Sequence, residues 1–276
     1  MMKNAVAVIM SVYKNDKYEY VKLAVNSIIQ QSYDNLYFIV ISDGEVDISV
    51  SSFLHELSLN KTSFIYLNER KENKGLAYSL NECIDYVINN LDVKYIARMD
   101  ADDICFLDRI HTQVDFLENN LLVDVVGTDL IEISNEGVEL FHKKMKYYHN
   151  DILSNLIKKC PFNHPTVMFR ISVFMDSNIR YNSKLMNTQD YYLWVDLLAE
   201  GCIFANISKP LLYFRIDDSF HSRRGWNKAI NDLHSRLYAF KRLNVLSFSN
   251  VLHVVFLFLL RLAPSSIKTF AYKYLR

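Results

Sequence analysis

The sequence predicts an α/β fold, with a mostly parallel twisted sheet and helices on both faces. Three observations carry that reading. VAVIMSVY (residues 6–13) and runs like it are apolar, β-branched and of strand length, the pattern of strands buried on both sides. Stretches with apolar residues at helical spacing alternate with them, as in right-handed βαβ units. The chain has 276 residues, half of them apolar, enough for one large domain with an appendage.

The elements follow in order. After the first strand, residues 18–33 place Val21, Ala24, Val25, Ile28 and Ile29 on one helical face. YFIVISDG (37–44) is a second strand closed by an Asp-Gly turn. A helix near 51–59 and the strand SFIYLN (63–68) come next. Residues 75–90 are helical through Leu76, Leu80, Ile84 and Val87, and KYIARMD (94–100) is the fourth strand. The second half is less regular. VDVVGTDLIEIS (123–134) reads as a strand pair or one long strand. NHPTVMFRISVF (163–174) sets a His-Pro before a strand. Residues 187–201 turn into a helix with Leu193, Leu197 and Leu198 inward and Gly201 as its stop. KPLLYFRIDDSFHSRRG (209–225) is a strand running into a mixed-charge loop.

Charge and cysteine usage narrow the function. Lys+Arg and Asp+Glu both number 31, so no global field points to nucleic acid. After Asp232 there is no acidic residue, while Arg236, Lys241, Arg242, Arg261, Lys268, Lys273 and Arg276 follow, so the tail is expected to meet something anionic. Cys83, Cys105, Cys160 and Cys202 form no CxxC pair or zinc spacing and read as scattered thiols of a reducing cytoplasm. The start, MMKNAVAVIM, reads as a first strand and not as a signal peptide.

In parallel sheets ligands bind beyond the carboxyl ends of the strands. Tyr13 and Asp16, Asp43, the segment ENKG (72–75) and the cluster Asp100, Asp102 and Asp103 all fall there. Three carboxylates in four positions repel one another unless something offsets their charge. An acidic helix N-terminus is the bland explanation. A hard cation, Mg²⁺ or Mn²⁺, is the functional one, because the ligands are oxygen only and Asp100 ends a buried strand. Asp190 serves equally as a capping residue in a first helical turn. His164 reads by default as a satisfied loop histidine, HSRRG as a solvated loop and Trp194 as core.

Taken in this order, the segments resemble the inverting, nucleotide-sugar-dependent glycosyltransferases of family 2, with the Rossmann-like GT-A fold. The resemblance spans about residues 6–225, and NHPTVMFR with RRG is similar to the branch that builds bacterial O-antigen, capsule and exopolysaccharide repeats. It implies a division into a GT-A catalytic domain (1–230), with a nucleotide-binding half (about 1–105) and an acceptor-binding half (about 106–230). VISDG implies that Asp43 reads a uracil edge. ENKG resembles the family's Asn-x-Gly segment, at Asn73, Lys74 and Gly75. RMDADD resembles the Asp-x-Asp signature, with Asp100 at the ribose and Asp102 on a Mn²⁺ or Mg²⁺ ion. Tyr13 and Asp16 join the nucleotide-sugar set. QDYYLW implies Asp190 as catalytic base, with Gln189 where Glu is usual. Asp103, His164, Gln189, Trp194, Arg215, His221, Arg223 and Arg224 are candidates for acceptor contact or support. The implied partners are a UDP-sugar, with glucose or galactose favoured, and a lipid-diphosphate-linked saccharide. Two rivals remain: a haloacid-dehalogenase-type phosphatase, from the strand plus Asp-x-Asp, and a non-catalytic scaffold of a polysaccharide assembly complex.

The last expectation is physical. VLHVVFLFLL (251–260) is too short to span a bilayer, which takes about 20 residues. Arg261 ends it, Pro264 breaks the chain, and Ile267, Phe270, Ala271 and Tyr274 resume opposite Lys268 and Lys273. Residues 231–276 therefore read as a basic helical tail that holds the protein at the cytoplasmic face of the inner membrane through Phe256, Leu257 and Leu260. A core helix is the alternative.

Overall fold

The computed structural model describes residues 4–59, 64–185, 187–216 and 226–263. The expected tail segment 264–276 and the residues His221, Arg223 and Arg224 lie outside them. The first strand, β1 (Val6–Val12), is the centre of the architecture. Its side chains alternate by strand periodicity: Val6, Val8, Met10 and Val12 enter one core layer, Ala7 and Ile9 the other. Both faces are buried, which is why the run is continuously apolar.

Helix α1 (Tyr18–Ile29) leads to β2 (Leu36–Ser42), and α2 (Ile48–Leu59) leads to β3 (Phe64–Glu69). β2 pairs parallel with β1, and β3 with β2. The chain then crosses by α3 (Leu76–Asn90) to β4 (Tyr95–Asp100), parallel to β1 on its other side. The order β3-β2-β1-β4 therefore reverses direction between β1 and β4, and this switch point opens a crevice beyond their carboxyl ends. α1 buries Val21, Ala24, Val25 and Ile28, while Ile29, expected on the same face, turns outward. α3 buries Leu80, Cys83, Ile84 and Val87 on the opposite side of the sheet.

The acidic cluster does not open a helix. A turn after β4 leads into the short β5 (Ile104–Cys105), and α4 (Arg109–Asn119) starts only afterwards. The 123–134 region is one strand, β6 (Val125–Ile133), and it is the hub of the second half. It pairs antiparallel with β7 (Glu139–Lys143). After α5 (His149–Asn155) and a 3-10 turn at His164–Thr166 comes β8 (Met168–Arg170), which bridges β4 and β6 antiparallel to both. The short α6 (Ser172–Met175) and α7 (Gln189–Ala199) precede β9 (Phe204–Arg215), which runs parallel to β6 and pairs with β5. The sheet is parallel throughout its first half and mixed in its second.

Two helices close the described chain, α8 (Trp226–Leu243) and α9 (Phe248–Leu262). α8 runs across position 230, the division expected between domain and tail. Its Ala239 joins Tyr191 and Val195 of α7 in a third core cluster that includes Val254 of α9. Arg236 stacks its guanidinium 3.9 Å from the Tyr191 ring centre and donates to the Ile157 carbonyl at 2.9 Å. Arg261 of α9 pairs with Asp232 of α8 at 2.9 Å. The outer side of α9 is different. Phe248, Val251, Leu252, Val255, Phe256, Leu259 and Leu262 form one exposed stripe at helical spacing. Among the described residues no helix is long and apolar enough to cross a membrane.

Trp194 sits at the centre of the second core layer with no exposed surface, ringed by Phe162, Phe169 and Phe204. Trp194→Ala should cost about 3–5 kcal/mol, the usual penalty for emptying a large aromatic site. Denaturant unfolding that shows under 1 kcal/mol, on the order of a surface change, would contradict this packing.

Candidate active site

The crevice at the switch point is a cleft of about 740 Å³, within the range of small-molecule sites. Tyr13, Asp16, Asp43, Asn73, Lys74, Gly75, Asp100, Asp102, Gln189 and Arg215 all line it. Residues from five strand ends and from the start of α7 thus meet in one place.

On one wall, the Asp43 carboxylate organises the loop that precedes α3. It accepts from the backbone N–H of Lys74 (2.7 Å) and Gly75 (2.9 Å) and from the Asn73 amide (3.1 Å), and it pairs with Arg70. Gly44 lets the two segments touch. Its φ is +86°, and a Cβ there would lie 2.9 Å from the Asn73 backbone nitrogen. Sequence reasoning gave Asp43 to a uracil edge. Its carboxylate is almost entirely buried and already engaged by four partners, so a base could take it only by displacing one of them.

The other wall is acidic. Tyr13 N–H donates to Asp16 Oδ2 at 2.9 Å, closing the turn after β1. One ligand oxygen from each of Asp100, Asp102 and Asp103 can lie within 4.8 Å of the others. Burial, then the charge of Asp100, lifts the Asp102 carboxyl to about 6. Burial lifts Asp16 to about 7, with further pushes from Asp102 and Asp100. Two arginines offset this crowding. Arg98, buried within β4, donates to Asp100 Oδ2 at 2.8 Å. Arg215 donates through Nε to the Asp102 carbonyl (3.1 Å) and through Nη1 to the carbonyls of Ser134 (3.0 Å) and Asn135 (2.8 Å). Its backbone N–H donates to Asp103 Oδ1 at 3.0 Å. An oxygen-only donor set, crowded enough to raise its own carboxyls, fits a hard divalent cation.

Several expected acceptor contacts take other places. Asp103 has no exposed surface, and its Oδ2 has no hydrogen-bond partner, so it supports the Asp102 turn from below instead of meeting an acceptor. Trp194 is core, as already described, and no acceptor can reach it. His164 donates or accepts with the Tyr181 hydroxyl at 2.9 Å behind the cleft, and burial, then the charge of Arg98, holds its pKa well below the ordinary histidine value. Arg215 is committed to backbone carbonyls. Asp190 lies in the first turn of α7, one residue past the cleft-lining Gln189, and its Oδ1 accepts from the Tyr191 N–H at 2.8 Å. The positive end of the helix favours a carboxylate there. Gln189 Oε1 is buried without a hydrogen-bond partner.

Sequence reasoning missed Arg70 and Arg98. The signal for Arg98 was present: a guanidinium between apolar residues of a buried strand needs a fixed anion, and Asp100 is two positions away.

The crowding has a measurable sign. The folded pKa of Asp16, about 7, exceeds its reference value of 3.8, so the native state holds a proton that the unfolded chain releases. Stability from this group therefore falls as pH rises between those values. In cation-free protein, Asp16→Asn should raise the melting temperature near about pH 8 and change it little near about pH 4. An equal gain at both pH values would mean that burial of the Asp16 carboxylate, with the smaller push of Asp102 and Asp100, is not the cause.

Comparison with known proteins agrees with this geometry. The glycosyl transferase family 2 model matches residues 7–177. The chain is 34% identical over 215 residues to the O-antigen biosynthesis glycosyltransferase WbnJ of Escherichia coli, covering 76% of this chain and 79% of that one. It is 29% identical over 272 residues to the UDP-Gal:alpha-D-GlcNAc-diphosphoundecaprenol beta-1,3-galactosyltransferase of E. coli, covering 97% and 94%. Among solved structures, the mannosyltransferase PcManGT of Pyrobaculum calidifontis, in complex with GDP-Man and Mn²⁺, shares the fold at a TM-score of 0.62 and 14% identity, covering 99% of this chain and 76% of that one. The expected GT-A architecture is therefore present, and the chain belongs to glycosyl transferase family 2 and is a transferase enzyme.

Proposed function

We propose that this transferase moves a hexose, glucose or galactose favoured, from a UDP-sugar to a hydroxyl of a lipid-diphosphate-linked saccharide in bacterial surface-polysaccharide synthesis. The observation that carries the reading is the meeting, in one cleft, of the crowded Asp16, Asp100 and Asp102 with the start of α7. The galactosyltransferase relative supports the carrier and the kind of acceptor. Family membership leaves no room for the phosphatase reading, and the intact cleft speaks against a decayed scaffold.

In this scheme the nucleoside lies against Asp43 and the Asn73–Gly75 loop, with Asp100 at the ribose. Asp102, supported by Asp103 and Arg215, would hold Mn²⁺ or Mg²⁺, an ion that neutralises charge on a UDP leaving group. Asp190 takes the proton from the acceptor hydroxyl as it attacks the anomeric carbon from the face opposite UDP. A single displacement needs one base and inverts the configuration, unlike the paired carboxylates of a retaining mechanism. Gln189, beside it and facing the cleft, orients the acceptor.

In this reading the protein works at the cytoplasmic face of the inner membrane, held there by its tail. The exposed α9 stripe offers the apolar face of an interfacial helix. Phe256 belongs to it, whereas Leu257 turns toward α8, against Ala229 and Leu233. The charged groups of Lys268, Lys273 and Arg276, beyond the described residues, would add about 1 kcal/mol each at an anionic surface.

Three tests follow from this scheme. Asp190→Asn keeps the shape and removes the basicity, so turnover should fall roughly 10²–10⁴-fold with UDP-sugar binding little changed. A parental rate would place the base elsewhere. Excess EDTA should abolish transfer, and Asp102→Ala should remove both turnover and cation dependence. Full activity in EDTA contradicts the cation reading. Truncation after Asn244, just past the end of α8, should keep donor hydrolysis but lose sedimentation with anionic vesicles. A full-length protein that ignores vesicles at low salt would make α9 purely structural.

A further inference from the structure

Next to the α7 start lies a second charged feature that the cleft does not use. Lys143, Lys144 and Lys146 end β7 and the loop after it, and Lys158 and Lys159 follow α5. The fold ties these two segments together. Lys159 Nζ donates to the Lys144 carbonyl at 2.8 Å. The Asn206 amide nitrogen donates both to the Lys146 carbonyl (2.7 Å) and to the Pro161 carbonyl (3.0 Å). Lys144, Lys146, Lys158 and Lys159 are exposed, and none forms an ion pair with a described residue. The nearest buried acid, Asp129, already accepts from the Met145 N–H and the Tyr147 hydroxyl and pairs with His142. Like charges gathered this closely repel one another, and the buried Asp129 offsets only part of that repulsion. Lys159 is exposed as a residue but its charged end is half-buried, and that burial, then Lys143 and Lys146, push the ammonium below its usual value against the pull of Asp129.

Position gives the cluster a meaning. The segment that carries Lys158 and Lys159 is fixed to α7 by the Tyr191 hydroxyl, which donates to the Leu156 carbonyl at 3.1 Å, and to α8 by Arg236. Cys160, next in the chain, feels the charges of both Asp190 and Lys143. On the other side, His253 of α9 sits against the Lys158 backbone. The lysines thus stand between the proposed base and the helix that bears the exposed apolar stripe. A lipid-linked saccharide has the same order of chemistry: sugar, diphosphate, hydrocarbon.

We infer that Lys144, Lys146, Lys158 and Lys159 bind the diphosphate of the acceptor, between the sugar at Asp190 and the lipid chain along α9. This rests on the lipid-diphosphate acceptor of the proposed function. These lysines are separate from the carboxylates of Asp100 and Asp102, to which the proposed function gives the donor diphosphate. Four ammonium groups offer point charges to a ligand with two phosphate groups.

The test uses full-length protein and two double variants, Lys158→Gln with Lys159→Gln, and Lys144→Gln with Lys146→Gln. The second pair makes its fixed contacts through backbone atoms only, so it guards against misfolding of the first. The probe is undecyl diphosphate, titrated calorimetrically with saturating UDP and Mn²⁺ present to fill the donor site. The parent should bind it, and each double variant should bind it about tenfold or more weakly with unchanged UDP affinity. For a saccharide on undecyl diphosphate KM should rise to match, with kcat kept, while the same saccharide on a neutral undecyl chain should be unaffected. Equal probe binding by all three proteins overturns the inference. So does loss of sedimentation with phosphatidylglycerol vesicles without loss of probe binding, which would make the cluster a membrane contact. If the probe follows the lysines but no diphosphate-linked saccharide is glycosylated, the anion site stands and the proposed transfer fails.

Discussion

The ion pair between Arg98 and Asp100 holds the cleft in shape. A guanidinium inside a central strand is costly unless a fixed anion meets it. Arg98 is buried on the face of β4 that it shares with Ile96, and the nearest anion is the strand's own last residue. The pair therefore fixes Asp100 at the lip of the crevice. It also sets the electrostatic background: the charge of Arg98 reaches Asp102, Asp103 and His164. Arg215 does the complementary job from β9, holding the turn after Asp100 by its carbonyls. Two arginines from different strands keep the carboxylates together despite their repulsion.

The opposite wall obeys a different rule. There the anion is Asp43, and the backbone is what moves to meet it. Two consecutive N–H groups, at Lys74 and Gly75, converge on its carboxylate just before α3. The result is a rigid, uncharged-looking ledge facing an acidic one. Such asymmetry suits a ligand with a flat aromatic end and an anionic end that needs a cation.

How much of this was legible depends on whether a residue's job is local. The parallel half was, because each strand is buried on both faces and each helix on one, so period and burial coincide from β1 to β4. The polar strand ends could be placed for the same reason. The second half resisted because its jobs are set by distant partners. β7 is an exposed strand with no alternation to read, and α4 starts after a turn whose acids mimic a helix cap. Asp103 looks like its neighbours in sequence, yet the backbone of Arg215, 112 positions away, turns it inward. Trp194 and the polar Gln189 share a helix, and only the tertiary packing tells which one faces the cleft. The lysine cluster is invisible as a motif, since its halves meet only through Asn206 and Lys159.

The stacking of Arg236 on Tyr191 has a consequence for how this protein can be recombined. Tyr191 follows the proposed base directly, and the helix that grips it, α8, comes after β9 in the chain. The half expected to bind the acceptor is therefore not self-contained in the chain: its helix α7 is braced by an element that sequence order assigns to the appendage. Any exchange of acceptor preference between relatives has to carry the α7 segment and α8 as one inherited unit, with a crossover after Leu243 and not near residue 230.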